Sequence, residues 1–315
     1  MFTVIIPLYN KTRFIERAIN SALNQSVKPS EIIVVDDGST DDGPALVKKL
    51  FGSQVEFYSQ ENIGVSGTRN LAISKAKSDF VAFLDADDYW HEEYLELMSK
   101  GIKIFPQSGI WGTSRTSIEN ELVKPMGDFY LLKDYFRTFI DRSLFLTSCV
   151  VMDISFFKSQ PGFNEKLTRG EDLDVWFRAI CFFGEAAFCD EKMVFYEKDD
   201  PVALTKKAFA LNRSILGIIA FPDYVKKIIF KDQHTRKEFD FFRYRFFRIH
   251  IIKYFNAYEN KEVIVRATSE LNPKMFLIDS FFYFPFPFLQ WFIKNRKRNF
   301  YFKKYVKFCF NYIYK

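Results

Sequence analysis

The sequence predicts an α/β fold: a Rossmann-like, mostly parallel sheet flanked by helices, with a helical, basic and aromatic C-terminal region. Three observations carry that prediction. Over the first hundred residues, short apolar runs alternate with segments of helical spacing, the pattern of a parallel sheet covered by helices. Polar clusters stand at the ends of three of those runs: Tyr9-Asn10, Asp36-Asp37, and Asp85 to Asp88. Parallel sheets bind ligands outside the carboxyl ends of their strands. Beyond about residue 200 the apolar spacing becomes helical and the composition shifts. A chain of 315 residues is long for one domain and short for three. The expected division is a first domain over 1–200 and a helical region over 201–315.

The elements follow in order. Residues 3–7 form an apolar run with no basic residue ahead of it, expected as a buried strand rather than a leader peptide. Residues 11–23 place Phe14, Ala18, Ile19 and Ala22 on one helical face. A second strand over 32–35 runs into Asp36-Asp37-Gly38-Ser39. A helix over 45–51, a strand over 55–58 and a helix over 67–76 come next. A fourth strand over 80–84 ends in Asp85-Ala86-Asp87-Asp88. Farther on, 110–111, 145–152 and 193–196 read as strands and 173–183 as an amphipathic helix. The best apolar stretch, 275–293, contains Asp279, Pro285 and Pro287. No membrane-spanning helix is expected from it.

Charge divides the chain as sharply as pattern does. Residues 201–315 hold 23 basic and 8 acidic residues, a net of +15, whereas residues 1–200 carry a net of −9. The same 115 residues hold 30 of the 59 aromatic side chains. With 48% apolar and 27% charged residues, the chain has the composition of a protein with a core, which excludes a disordered polymer. The four cysteines form no CxxC pair and there are three histidines. A zinc site or disulfide framework is not expected, and reduced, buried thiols suit the cytosol.

Four constellations carry chemistry. Asp85 and Asp87 alternate at the end of an apolar strand, and two close carboxylates need a cation or a proton. Mg²⁺ or Mn²⁺ shared with a diphosphate would supply it. Asp36 and Asp37 can accept hydrogen bonds from a base edge or a ribose, or cap a helix. Residues 62–70 form a glycine-bearing turn entering a helix, with Arg69 placed to meet phosphate. Asp172, in Arg169-Gly170-Glu171-Asp172, can serve as a general base or as a helix cap.

Taken in order, these segments resemble glycosyltransferase family 2: residues 4–10, then 34–41, the 62–70 turn, Leu84-Asp85-Ala86-Asp87-Asp88, and Gly170-Glu171-Asp172. The resemblance covers roughly 1–200. It implies the GT-A fold and an inverting transfer of a sugar from a nucleotide sugar, with a UDP-sugar the expected donor. Pro7 and Tyr9 would flank the base, with Tyr9 stacking on it. Asp37 would bond the base, and Asp36 the base or ribose. Arg69 would lie near base or phosphate. Asp87 would bind the metal, and Asp85 would face the ribose or the metal. Asp172 would deprotonate the acceptor hydroxyl of a saccharide or lipid-linked saccharide, as in bacterial cell-surface polysaccharide synthesis. The sequence departs from the family after the last strand, where Tyr196-Glu197-Lys198-Asp199-Asp200 lacks a histidine; Lys198, Lys206 or Lys207 would replace its charge. Thr147, Ser148 and Trp176 fall where relatives shape the sugar pockets, though Trp176 also fits a core position. The segment 163–165 is expected to be structural. The intact acids weigh against a non-catalytic scaffold on the same fold.

The C-terminal region interleaves rings and cations over 239–248, and Lys294-Asn295-Arg296-Lys297-Arg298 follows an apolar stretch. That is the composition of an interfacial membrane element. Peripheral contact with an anionic membrane surface at the cytosolic face is the expectation. Nucleic acid is not an expected partner, because the acidic mouth of the first domain repels phosphate polymers.

Overall fold

The computed structural model describes residues 1–122, 124–142, 144–200, 210–251, 254, 260–269 and 285–309. Lys206, Lys207 and the stretch 275–284 lie outside the described residues. The chain packs as two compact units: Met1–Glu165 with Glu171–Lys207 and Ile229–Lys231, and Lys166–Gly170 with Ala208–Ile228 and Asp232–Lys315.

The first unit is built on a mixed sheet. Its strands are β1 Phe2–Leu8, β2 Glu31–Asp36, β3 Glu56–Ser59, β4 Phe80–Phe83, β5 Tyr89–Trp90, β6 Ile110–Thr116, β7 Tyr130–Leu131, β8 Val150–Asp153 and β9 Ala187–Phe195. Their order is β3-β2-β1-β4-β8-β6-β9-β5, with β7 paired to β9. The longest ladders, β1 with β2 and β6 with β9, are parallel. β8 runs antiparallel to both β4 and β6. The carboxyl ends of β1, β2, β4, β6 and β9 therefore lie on one side of the sheet.

Strand pleating sends alternate residues to opposite faces. Val4, Ile6 and Leu8 of β1 pack with Ile15, Ala18, Ile19 and Ala22 of helix α1, Thr12–Leu23. Phe83 of β4 meets Phe163 and Trp176 on the other face, at ring distances of 5.6 and 5.8 Å. Trp176 is wholly buried, so the core position holds. Further helices are α2 Gly43–Phe51, α3 Val65–Lys75, α4 Tyr94–Ile104, α5 Tyr135–Asp141, α6 Ser155–Ser159 and α7 Glu171–Phe183.

Three strands differ from expectation. β6 runs over Ile110–Thr116 rather than 110–111 alone. Residues 145–149 are not strand: Thr147–Cys149 forms a 3-10 turn and β8 begins at Val150. Ser148 is drawn out of line because its hydroxyl serves the acidic loop described below and its carbonyl accepts from Trp90 of β5. The last strand is longer than expected, since β6 gives it seven residues to pair along.

The second unit is helical in its described residues. Its helix Gln233–Ile251 buries Phe239, Phe242, Phe246 and Phe247, and also Arg243, Arg245 and Arg248. Arg243 donates to Asp240 at 2.8 Å and to the carbonyl of Ala220 at 2.8 Å. The ring-and-cation stretch 239–248 is thus largely interior to its unit. Exposed rings sit instead on helices Phe286–Lys294 and Arg296–Phe308, with Trp291 at 56% and Tyr301 at 67% exposure. No helix among the described residues is long and apolar enough to cross a membrane.

One glycine is required by close approach. Gly109 has φ 66°, and a Cβ there would come within 2.4 Å of the Phe183 ring. Gly109→Ala should cost about 1–3 kcal/mol from backbone strain and overpacking. The check is a lower urea midpoint with an unchanged m value.

Candidate active site

The loop after β4 is where the carboxylates crowd, and each finds its own partner. Asp85 Oδ1 accepts from Arg69 Nη2 at 2.6 Å. Arg69 is buried on α3, also reaches Glu171 Oε1 at 3.5 Å, and lies 5.2 Å over the Phe163 ring. Asp87 Oδ2 accepts from Lys11 Nζ at 2.6 Å. The same ammonium bonds Asp200 Oδ2. Asp88, almost fully buried, accepts from the Ser148 hydroxyl at 2.5 Å and from Glu197 N at 3.0 Å. Ser148 Oγ in turn accepts from Asp85 N at 3.1 Å, and its carbonyl from Trp90 Nε1 at 2.7 Å. Arg17 donates to the Asp87 carbonyl at 2.7 Å and to Glu197 at 3.2 Å. The segment after β9 is thereby tied to the acidic loop without a histidine.

The electrostatics follow from burial. Asp87 is held above the usual carboxylate range by burial and then by Asp85, against the pull of Lys11. Asp88 is pushed well up by burial, then by Asp85 and Asp87. Burial lowers the Lys11 ammonium, but Asp87 and Asp200 outweigh it, and its pKa is raised.

Asp172 stands in the first turn of α7, where its Oδ1 accepts from Leu173 N at 2.8 Å. Burial and the adjacent Glu171 push its carboxyl up to about 7, with Arg69 opposing. The start of α7 is fixed from below by Arg178. That side chain holds Asp174 at 2.8 Å and the carbonyls of Pro161 and Gly162, each at 2.7 Å. Asn70 clamps Phe163 N at 2.7 Å and Glu165 at 3.0 Å, a structural duty for the 163–165 segment. Arg69 thus joins Asp85 to the Glu171-Asp172 pair within one unit.

The other expected residues line the carboxyl ends of β1 and β2. Pro7 is half-buried at the end of β1, and Tyr9 is 40% exposed beyond it. Asn10 adopts φ 53°, a left-handed conformation that Asn tolerates. Its Oδ1 accepts from Thr40 N at 2.8 Å, sewing β1 to the next turn. Asp36 accepts from Ser39 N at 3.0 Å and Ser59 Oγ at 2.9 Å. Asp37 accepts from Gln60 at 2.8 Å, Ile63 N at 3.0 Å and Gly64 N at 2.9 Å. Both carboxylates are buried and order the turns around them.

Asp85 and Asp87 therefore go to different cations. Asp87 and Asp200 converge on one positive charge. No cluster of three or more metal-type side chains occurs among the described residues. Two converging carboxylates fit a hard divalent ion whose remaining positions are filled by substrate phosphate and water. Asp200 and Lys11 were not legible as site residues, and Ser148, expected at a sugar pocket, instead bonds Asp85 N and Asp88. An acid pair directly after the last strand was the available signal for Asp200.

The chain matches the family model "Glycosyl transferase family 2" over residues 3–160. It is 29% identical over 185 residues to chondroitin synthase of Pasteurella multocida (strain Pm70), covering 56% of this chain and 18% of that protein. It is 31% identical over 150 residues to glycosyltransferase GlyA of Streptococcus pneumoniae serotype 4, covering 46% and 22%. It is 28% identical over 194 residues to the minor teichoic acid biosynthesis protein GgaA of Bacillus subtilis (strain 168), covering 54% and 44%. The chain thus spans less than half the length of these relatives. Among solved structures, S. aureus TarS 1–349 in complex with UDP-GlcNAc aligns with a TM-score of 0.70 at 18% identity, over 98% of this chain and 91% of that one. The fold is shared.

Lys11→Met should remove the ammonium that bridges Asp87 and Asp200. Breaking such a buried pair costs about 3 kcal/mol. In EDTA the variant should melt several degrees below the parent, and Mn²⁺ should recover more of the variant's loss than it adds to the parent.

Proposed function

The chain belongs to glycosyltransferase family 2, and on that premise we propose that it transfers a sugar, with inversion, from a nucleotide sugar to a saccharide or lipid-linked saccharide in cell-surface polysaccharide synthesis. The observation that carries the reading is the Asp172 carboxyl, raised to about 7 and linked through Arg69 to Asp85 of the acidic loop. A base tuned near the working pH is the most effective one. A UDP-sugar is the proposed donor, in keeping with the UDP-GlcNAc and UDP complexes of TarS.

In this mechanism Tyr9 stacks on the base, Pro7 flanks it, and Asp36 and Asp37 hold the base and ribose side. Arg69 keeps Asp85 directed toward the ribose side of the mouth and lends positive charge near the phosphates. Asp87 and Asp200 are the residues that would hold Mn²⁺ or Mg²⁺. Such an ion, when bound, offsets charge on the leaving diphosphate. Asp172 takes the proton from the acceptor hydroxyl. The freed oxygen attacks the anomeric carbon from the face opposite the diphosphate, so the bond to the diphosphate breaks as the new glycosidic bond forms. Holding both substrates in line contributes as much as the proton transfer itself. The exposed rings of Trp291, Phe300, Tyr301 and Phe308, beside Arg296, Lys297 and Lys303, support peripheral contact with an anionic membrane surface at the cytosolic face.

Three measurements test this reading. Thermal shift against UDP, GDP, CDP and dTDP, each with Mn²⁺ and with EDTA, should show stabilisation by UDP that EDTA removes; no response to any nucleotide would overturn it. Only the ionised carboxylate accepts a proton, so kcat/KM should fall below pH 7 and level off above it. Asp172→Asn should keep UDP binding and lose roughly 10²–10⁴ in turnover, and an active Asp172→Asn would remove the base assignment.

A further inference from the structure

A second feature opens on the carboxyl-end side of the same sheet. A cavity of about 330 Å³ is lined by the end of β6, including Thr113, Arg115 and Ser117, together with Arg142, Phe188 and Lys198. Its size falls in the range of small-ligand sites. Its chemistry is one-sided, with three cationic side chains and several hydroxyls but no acid in the lining.

The strand pattern explains why it is there. The β6–β9 ladder shifts register between Thr113 and Ser114 and again between Ser114 and Arg115. Such irregularities re-aim side chains and are frequent beside active sites. Arg142 is already engaged, with Asp190 at 2.9 Å and Tyr130 Oη at 2.8 Å. Arg115 lies 5.2 Å over the Tyr196 ring and makes no ion pair among the described residues. Thr113 is wholly buried, yet its hydroxyl has no hydrogen-bond partner. A buried hydroxyl without a partner carries a desolvation cost that a bound oxygen would relieve.

Position gives the cavity a role. β4, β8 and β6 are successive neighbours, and Ala82 and Trp111 both pair with Val151, so β6 runs two strand spacings, about 10 Å, from β4 and its end extends past that of β4 on the same side. Lys198 directly follows Glu197, whose amide bonds Asp88 of the acidic loop.

We propose that this cavity is an anion subsite for the acceptor: it holds an oxyanion of the acceptor apart from the hydroxyl that reacts. The proposal rests on the transferase reading above for the identity of the substrate. An Arg fork takes a phosphate or carboxylate in two parallel hydrogen bonds, and the Thr113 hydroxyl adds a donor. Arg115 offsets the repulsion that an anionic acceptor meets from Asp85, Asp87 and Glu197. Phosphodiesters and carboxylated sugars share this chemistry.

The test uses the full chain with inorganic phosphate and with acetate as probes. Thermal shift is read at ionic strength held constant with chloride, for the parent, Arg115→Gln and the Arg115→Gln/Lys198→Gln double variant. UDP with Mn²⁺ is titrated as a separate arm. The parent should be stabilised by the oxyanion, with apparent affinity roughly tenfold or more weaker in Arg115→Gln and abolished in the double variant. The UDP response should be the same in the parent and in Arg115→Gln. A stronger response to phosphate than to acetate assigns a phosphodiester acceptor, and the converse a carboxylated one. An oxyanion response that is absent, or equal in parent and variants, overturns the subsite and leaves the donor reading standing. A variant-sensitive oxyanion response in a chain that ignores UDP keeps the subsite and removes the donor reading instead.

Discussion

The mouth of this protein depends on neutralising carboxylates that the sheet forces together. β4 ends in three acids within four residues, and the segment after β9 adds Glu197 and Asp200 beside them. Buried like charges at such spacing cannot all remain ionised without counter-charge or donors. The chain supplies both. Arg69 serves Asp85, Lys11 serves Asp87 and Asp200, and Ser148 with the Glu197 amide serves Asp88. Each of these partners comes from a different element, so the mouth also works as a set of tie points. They link the start of α1, α3, the 3-10 turn before β8 and the end of β9. Stability and chemistry are therefore coupled there.

The same economy explains the buried acids of the second strand. Asp36 and Asp37 order the turns that carry Ser39, Ile63 and Gly64, and those turns set the entry of α3 and hence the aim of Arg69. A carboxylate has about four lone-pair sites, so a structural carboxylate can still accept one more hydrogen bond from a ligand. Capping and binding, which look like rival readings of an Asp turn, are compatible here. Asp172 shows the contrasting case. Its carboxyl accepts only the Leu173 amide hydrogen bond among those described, and burial beside Glu171 leaves it with the weakened acidity that a general base needs.

The parts legible in the sequence were those with a local cause. The strands β1, β2 and β4 announce themselves as apolar runs, because strands covered on both faces have no polar side. The acids at their ends were visible because a ligand-binding edge needs them. The two-residue strands β5 and β7 carry no periodic signal at all. Residues 145–149 look like strand by composition, yet the hydrogen bonds of Ser148 to the acidic loop bend them into a turn. Lys11 reads as an ordinary helix-start residue. Its bridging of Asp87 and Asp200 exists because the segment after β9 brings Asp200 back beside the acidic loop, a long-range pairing that no window of sequence contains. The aromatic stretch 239–248 shows the opposite error of scale: its composition suggests a surface element, but its rings and three of its arginines pack inside their unit.

In the proposed reading the acceptor side and the donor side share one carboxyl-end face, with cations for an anionic acceptor and acids for a metal and a proton. The most direct test of that arrangement is the crystal structure of the protein with UDP and Mn²⁺, with anomalous data at the manganese edge. The account predicts a manganese peak bound by Asp87 and Asp200, with the Lys11 side chain turned away from both. UDP bound in the mouth with Lys11 still bridging the two carboxylates, and manganese absent or elsewhere, would contradict it.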